Sequence, residues 1–206
     1  MTIKEAYALI NQYAIGKKIG SQNYSYVHIE NAAIAARKIA TQCALDGDQA
    51  YIYALLHDIG RLITFTNNGE LDICDAHRHP VNGYRLLKSL GYENEARFCI
   101  THAFVNKKNV YSDLYDEADN TLIESVLKTP YDDYDKLIQL VDELSTMDGL
   151  CPLESRFARG FLEKGVNYNE TERLNALLDI KQYFSKKCNT SIYNIVFDSV
   201  DSIAFL

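Results

Sequence analysis

The sequence predicts an all-α fold, a single-domain helical bundle. Three observations carry that prediction. Apolar residues recur every three or four positions over long stretches, and strand-like alternation is scarce. Only three prolines occur, Pro80, Pro130 and Pro152, and each suits a helix start or a break between helices. The 206 residues hold no repeat, low-complexity tract or linker, so one domain accounts for the chain.

The elements follow in order. Ile29, Ala32, Ala36, Ile39 and Cys43 mark one face of a helix over about 22–44. Asp46-Gly47-Asp48 breaks that pattern, and Asp48 is expected to cap the next helix. Residues 49–59 are apolar nearly all round, as in a helix at the centre of a domain, and Gly60 is expected to end it. Residues 61–76 read as a loop, with Asn67-Asn68-Gly69 as a turn. Pro80 suits the first turn of a helix that runs to Leu90 and closes at Gly91. A further helix is expected over about 93–105. Leu122–Leu127 and Leu137–Leu144 are helical segments on either side of Pro130. After a break at Cys151-Pro152, helices over about 154–164 and 170–187 precede a short apolar tail expected to pack on the body.

Composition narrows the class of protein. With 47% hydrophobic and 24% charged residues the chain is expected to fold around a core rather than remain disordered. A net charge of −7 argues against broad nucleic-acid binding, which needs a basic face. No apolar run approaches the ~18 residues of a membrane span. The N-terminal Met-Thr-Ile-Lys-Glu-Ala-Tyr is not patterned like a signal peptide. The expectation is a cytoplasmic protein with no membrane partner. Cys43, Cys74, Cys99, Cys151 and Cys188 are odd in number and widely spaced, and are expected to be unpaired, small apolar residues. Between Tyr111 and Glu143 lie ten acidic residues against two lysines. That stretch reads as a solvated acidic surface, or as a rim that attracts a metal, since Asp142 lies at its end.

Four polar residues sit where burial is expected. His28 shares the apolar face of its helix with Ala32, Ala36, Ile39 and Cys43. His57 and Asp58 interrupt the most apolar stretch of the chain, and Asp142 follows Leu137-Ile138-Gln139-Leu140-Val141. A buried carboxylate without a partner costs several kcal/mol, roughly, and such a group would rather be protonated. These residues can pair with one another, with an arginine, or with a cation. A metal ion satisfies all four at once, since imidazole nitrogen and carboxylate oxygen suit Zn, Mn or Fe.

His28, Leu55-Leu56-His57-Asp58-Ile59-Gly60 and Leu140-Val141-Asp142 together resemble the H…HD…D signature of the HD-domain superfamily. That superfamily comprises all-α, metal-dependent phosphohydrolases. The intervals also match: His57 lies 29 residues after His28, and Asp142 lies 84 after Asp58. The likeness covers about residues 20–150, with 151–206 left as C-terminal helices packing on that core. His79-Pro80-Val81-Asn82-Gly83 looks like the H-P-x-x-G segment of members with extra histidines, and Ile100-Thr101-His102 like their next histidine. His77 is the alternative to His79, which fits the Pro and Gly spacing better. The resemblance implies one or two divalent ions (Fe, Mn, Zn, Co, Ni or Mg). Asp58 would bridge them, with His28, His57 and Asp142 on one side and His79 and His102 on the other. Ala103 and Phe104 stand where some subfamilies carry two adjacent histidines.

A divalent ion lowers the pKa of its water from 15.7 toward ~7, ready for in-line attack on phosphorus. The expected activity is therefore cleavage of a phosphoester or phosphoanhydride in a nucleotide or other small phosphate compound. Asp58 is the expected catalytic carboxylate. Arg61 is the cation expected to act in catalysis and hold substrate, with Arg78 as a second substrate-binding cation. Arg156 is read as fixing a loop rather than closing over the site. Lys107-Lys108 reads as a solvated loop, with a phosphate clamp as the alternative. Two other functions stay open: a di-iron oxygenase on the same fold, and a non-catalytic nucleotide-binding module. Base, chain length, leaving group and oligomeric state are not encoded in any recognisable motif.

Overall fold

The computed structural model describes residues 1–14, 24–63, 77–108 and 112–197. Helix α1 (Ile3–Ala14) buries Ala6, Leu9 and Ile10. Helix α2 (Tyr24–Gln42) buries His28, Ile29, Ala32, Ala33, Ala35, Ala36, Ile39 and Ala40. So many alanines on one face let neighbouring helices approach closely. The most extensive packing is between α2 and α3 (Gly47–Leu56), whose Ala50, Tyr51, Ile52, Ala54, Leu55 and Leu56 are all buried. This is the expected central helix.

Its ends differ from expectation. Asp46, not Asp48, is the N-cap, accepting a bond from the Gln49 amide at 3.0 Å. Asp48 lies in the first turn and pairs with Arg37 instead. The helix stops at Leu56, so His57 and Asp58 form a turn before α4 (Ile59–Ile63). Gly60 does not end α3, and lies inside α4. A Cβ there would fall 1.9 Å from the His79 carbonyl oxygen and 2.7 Å from the Gly83 amide nitrogen. The glycine is needed for close backbone approach, which the same residue type serves as readily as a helix end. Of the expected loop 61–76, residues 61–63 are helical, and the Asn67-Asn68-Gly69 turn lies outside the described residues.

Helix α5 (His79–Ser89) starts with Pro80 in its first turn and closes at Gly91, which has φ +84°. Helix α6 (Glu93–Thr101) ends earlier than expected. Past His102 the chain enters a 3₁₀ turn at Val105–Lys107, with Asn106 and Lys107 in the left-handed region, which an α-helix cannot cross. Helix α7 (Glu117–Leu127) and α8 (Asp133–Leu144) each begin a turn or more before their apolar patterns. Asp116 caps the first, and a capping box of Asp132 and Asp135 starts the second. A short antiparallel hairpin pairs Ser145 with Leu150 and Thr146 with Gly149. Helices α9 (Leu153–Lys164), α10 (Tyr168–Lys187) and α11 (Ile192–Val196) complete the described chain. Ile192 and Val196 pack into the main core, as expected of the tail, whose residues 198–206 lie outside the described part.

The main core draws on α1–α6 and α8, and α9–α11 add Leu153, Phe157, Leu177, Phe184, Ile192 and Val196 to it. A second cluster of Val81, Ile100, Phe104, Tyr115, Ile123 and Leu127 lies under α7. Cys99 is buried and unpaired as expected, but Cys43 and Cys188 form a disulfide. They are 145 residues apart and meet only because the end of α2 packs against the end of α10. Cys151 is a partly buried thiol, and Cys74 lies outside the described residues.

Candidate metal centre and cleft

His28 projects from the second turn of α2, His57 and Asp58 from the α3–α4 turn, and Asp142 from the last turn of α8. His79 opens α5 and His102 closes α6. All six converge. The His28 Nε2 lies 3.0 Å from Asp142 Oδ1 and 3.7 Å from Asp58 Oδ2. The His57 Nε2 lies 3.5 Å from Asp142 Oδ1 and 3.9 Å from Asp58 Oδ2. The other oxygen of Asp58 faces a different pair: His79 Nε2 at 3.1 Å and His102 Nε2 at 3.5 Å. Asp58 thus stands between two half-sites. His28, His57 and Asp142 group on one side, and His57, Asp58 and His102 form an overlapping group.

The imidazoles are oriented by backbone. Nδ1 of His28 faces the Ser145 carbonyl at 3.1 Å, that of His57 the Ala54 carbonyl at 2.6 Å, and that of His102 the Phe98 carbonyl at 2.9 Å. A carbonyl can only accept, so each Nδ1 donates to it and each Nε2 faces the centre. His57 and His102 take these carbonyls from the helical turn just before them, and the Phe98 carbonyl accepts the His102 amide as well, at 3.3 Å.

Electrostatics agree with a cation site. Burial pushes Asp58 up, but the Arg61 guanidinium with the His79 and His57 rings holds its carboxyl well below the usual range. Asp142 is likewise pushed up by burial and brought well below that range by His28 and His57. Burial lowers His57, yet Asp58 and Asp142 leave it above the ordinary imidazole value. The two carboxylates therefore draw positive charge toward His57 Nε2. Burial takes His79 down to about 4, so it is a neutral donor at pH 7. The His57 Nε2 and Asp58 Oδ1 are buried without a hydrogen-bond partner among the described residues. Orphaned buried atoms of a ligating type are costly unless something fills the space between them. A divalent cation fits the donor set, which suits Zn, Mn, Fe, Co or Ni.

The centre opens on a cleft with two arms. One, of about 420 Å³, is walled by α9 and α10 and reaches His28, Asp58 and Asp142. The other, of about 310 Å³, borders His77, His79, His102 and Tyr115. Arg61, Asp142 and Arg173 line both. Arg61 donates from Nε to Asp58 Oδ2 at 2.6 Å. Arg78 is placed elsewhere: its guanidinium pairs with Asp116 and with the buried Asp119, and it is not among the residues lining either arm. His77 is exposed at the edge of the second arm, and its carbonyl accepts the Tyr115 hydroxyl at 2.9 Å. Lys107 reaches the Thr129 carbonyl at 2.7 Å and Lys108 reaches Glu172 at 2.7 Å, so neither forms a clamp. Arg156 fixes a loop: its Nη1 bonds the Asp142 carbonyl at 3.1 Å and the Ser145 carbonyl.

The acidic run is largely structural. Asp116 and Asp132 cap helices, Asp119 pairs with Arg78 and Arg85, Asp135 with Arg97, and Asp133 with Lys187. Only Asp142 and Glu143 of that run line the larger arm. Glu143, Lys164 and Arg173 went unmarked in the sequence. They lie at or beyond the end of the motif, and nothing in their neighbours distinguishes them from surface charges.

Residues 25–147 match the HD domain family. The chain belongs to the HD domain family. The matched segment holds all six converging side chains, and the helices walling the larger arm lie after it. Among solved structures, the chain is similar to the HD domain of the Listeria monocytogenes phosphodiesterase PgpH. Identity is 17% and the TM-score 0.42, over 84% of this chain and 95% of that one. A search of curated proteins found no match. No helix among the described residues is long and apolar enough to cross a membrane.

Proposed function

We propose that the chain is a metal-dependent phosphohydrolase acting on a nucleotide or another small phosphate compound. The observation that carries this is the division of Asp58: one oxygen faces His28 and His57, the other His79 and His102. His28, His57, Asp142 and Asp58 would hold one divalent ion, and His79 and His102 a second that shares Asp58. Bound there, such ions activate water for attack on phosphorus and offset the charge that develops on the phosphate oxygens. The chain's own part is to hold these donors rigidly on helices, keep Asp58 anionic, and set Arg61 beside it. Arg61, which lines both arms while bonded to Asp58, would add its positive charge to the field that a phosphate meets there.

The test is metal analysis of protein purified without oxygen, then hydrolysis of a phosphoester panel with Mn, Fe, Co or Ni. Bound metal and turnover are expected. Asp58→Ala should lose both metal and at least 100-fold in kcat, roughly the scale of losing a charge-stabilising group. A chain that binds no metal and is inert with each of them would sink the reading. Oxygen consumption with iron and no hydrolysis would point to the oxygenase instead.

A further inference from the structure

The larger arm of the cleft has two features that the metal centre does not use. The first is Gly160, in the interior of α9. Glycine there costs helix stability relative to alanine. Its backbone does not require glycine, and a Cβ would meet no atom within 4 Å. No packing contact explains the residue, which lines the arm and has open space where a Cβ would stand. The second is Lys164, one turn further on and also lining the arm. The arginines around it are engaged: Arg61 on Asp58, Arg156 on backbone carbonyls and Glu143, Arg173 on Glu143. Lys164 is exposed and makes no ion pair among the described residues. Phe161, half-buried, supplies an apolar surface beside Gly160.

Resting on the phosphohydrolase reading, the geometry points to a specificity subsite at Gly160, Phe161 and Lys164 that seats the non-reacting part of the substrate. That part is a ring system the size of a nucleoside, against Gly160 and Phe161, with a further anionic group within reach of Lys164. The arm's volume of about 420 Å³ is in the range of small-ligand pockets. Gly160, Phe161 and Lys164 all lie beyond the family segment, so the subsite belongs to this chain's own C-terminal part.

Calorimetry on the Mn-reconstituted protein tests this, with adenosine α,β-methylene diphosphate and inorganic phosphate as probes. The wild type should bind the nucleotide analogue at least tenfold more tightly than phosphate. Gly160→Leu should abolish that preference and leave phosphate affinity unchanged. Lys164→Gln should weaken the analogue about three- to tenfold. Gly160→Ala should raise the melting temperature, and Leu162→Gln, at an exposed position, should change neither affinity. Equal affinity of the wild type for both probes, or unaltered analogue binding in Gly160→Leu and Lys164→Gln, would overturn the subsite. Hydrolysis of p-nitrophenyl phosphate, run in parallel, reports on the enzyme itself. Its absence in the wild type counts against the phosphohydrolase, and the binding comparison still decides the subsite.

Discussion

At Gly60 one added methyl group would collide with backbone on another helix, the His79 carbonyl oxygen at 1.9 Å and the Gly83 amide nitrogen at 2.7 Å. Backbone cannot swing aside as a long side chain can, so Gly60→Ala must push α5 away from α4. The residue displaced first is His79, the ligand-type side chain nearest Asp58 Oδ1. Such overpacking costs about 1–3 kcal/mol. The variant is expected to lose that stability in urea titration and to bind less than half the wild-type complement of metal. A variant with wild-type midpoint and metal content would show that α5 yields without cost. The sequence marks this glycine clearly but leaves its reason open, because positive φ and close approach both call for a missing Cβ.

Among the elements, the junction from α8 through the hairpin to α9 does the most positioning. Leu144 is the last helical residue of α8, and Ser145 turns into extended backbone. The Ser145 carbonyl then accepts from both His28 Nδ1 and Arg156. Arg156 also ties down the Asp142 carbonyl and pairs with Glu143 at 3.0 Å. Arg156 thus holds in place the carbonyl that His28 Nδ1 faces, and its expected role is to support His28 through that shared oxygen. Loss of such support costs roughly 10–100-fold in metal affinity. Arg156→Met is expected to show that loss in competition with a chelator, with His28→Ala at least as severe. Unchanged affinity would reduce Arg156 to a stabiliser of the loop. Helix boundaries are less legible in the sequence than helix existence, for a definite reason. Apolar periodicity reports only buried turns, and the polar first turns of α7 and α8 are held by Asp116, Asp132 and Asp135.

Across the whole molecule, the C-terminal helices pack against the face of the core that carries the candidate metal centre. The Cys43–Cys188 disulfide ties the end of α2 to the end of α10, and α10 carries Arg173 into the cleft. Cross-linking residues so far apart in sequence restricts the unfolded chain, a contribution of about 2–4 kcal/mol. Cys188→Ala is therefore expected to lower stability by that order. Reduction of the wild type should reproduce the loss, and the variant should not respond to reductant. A wild type whose unfolding is the same with and without reductant would rule out the disulfide in solution.

The sequence by itself determined the fold class, the order of most helices, and four of the side chains that meet at the centre, His28, His57, Asp58 and Asp142; His79 and His102 were legible only through the family resemblance. Periodicity exposes a buried face, and a histidine or aspartate on such a face is anomalous enough to be noticed in one dimension. Tertiary structure alone decided how Asp58 divides its two oxygens, where Arg78 spends its charge, and which cysteines meet. It also decided that α9 and α10 wall the cleft. Those outcomes depend on contacts between segments far apart in the chain, and local patterns of hydrophobicity carry no record of which distant surface a residue will face.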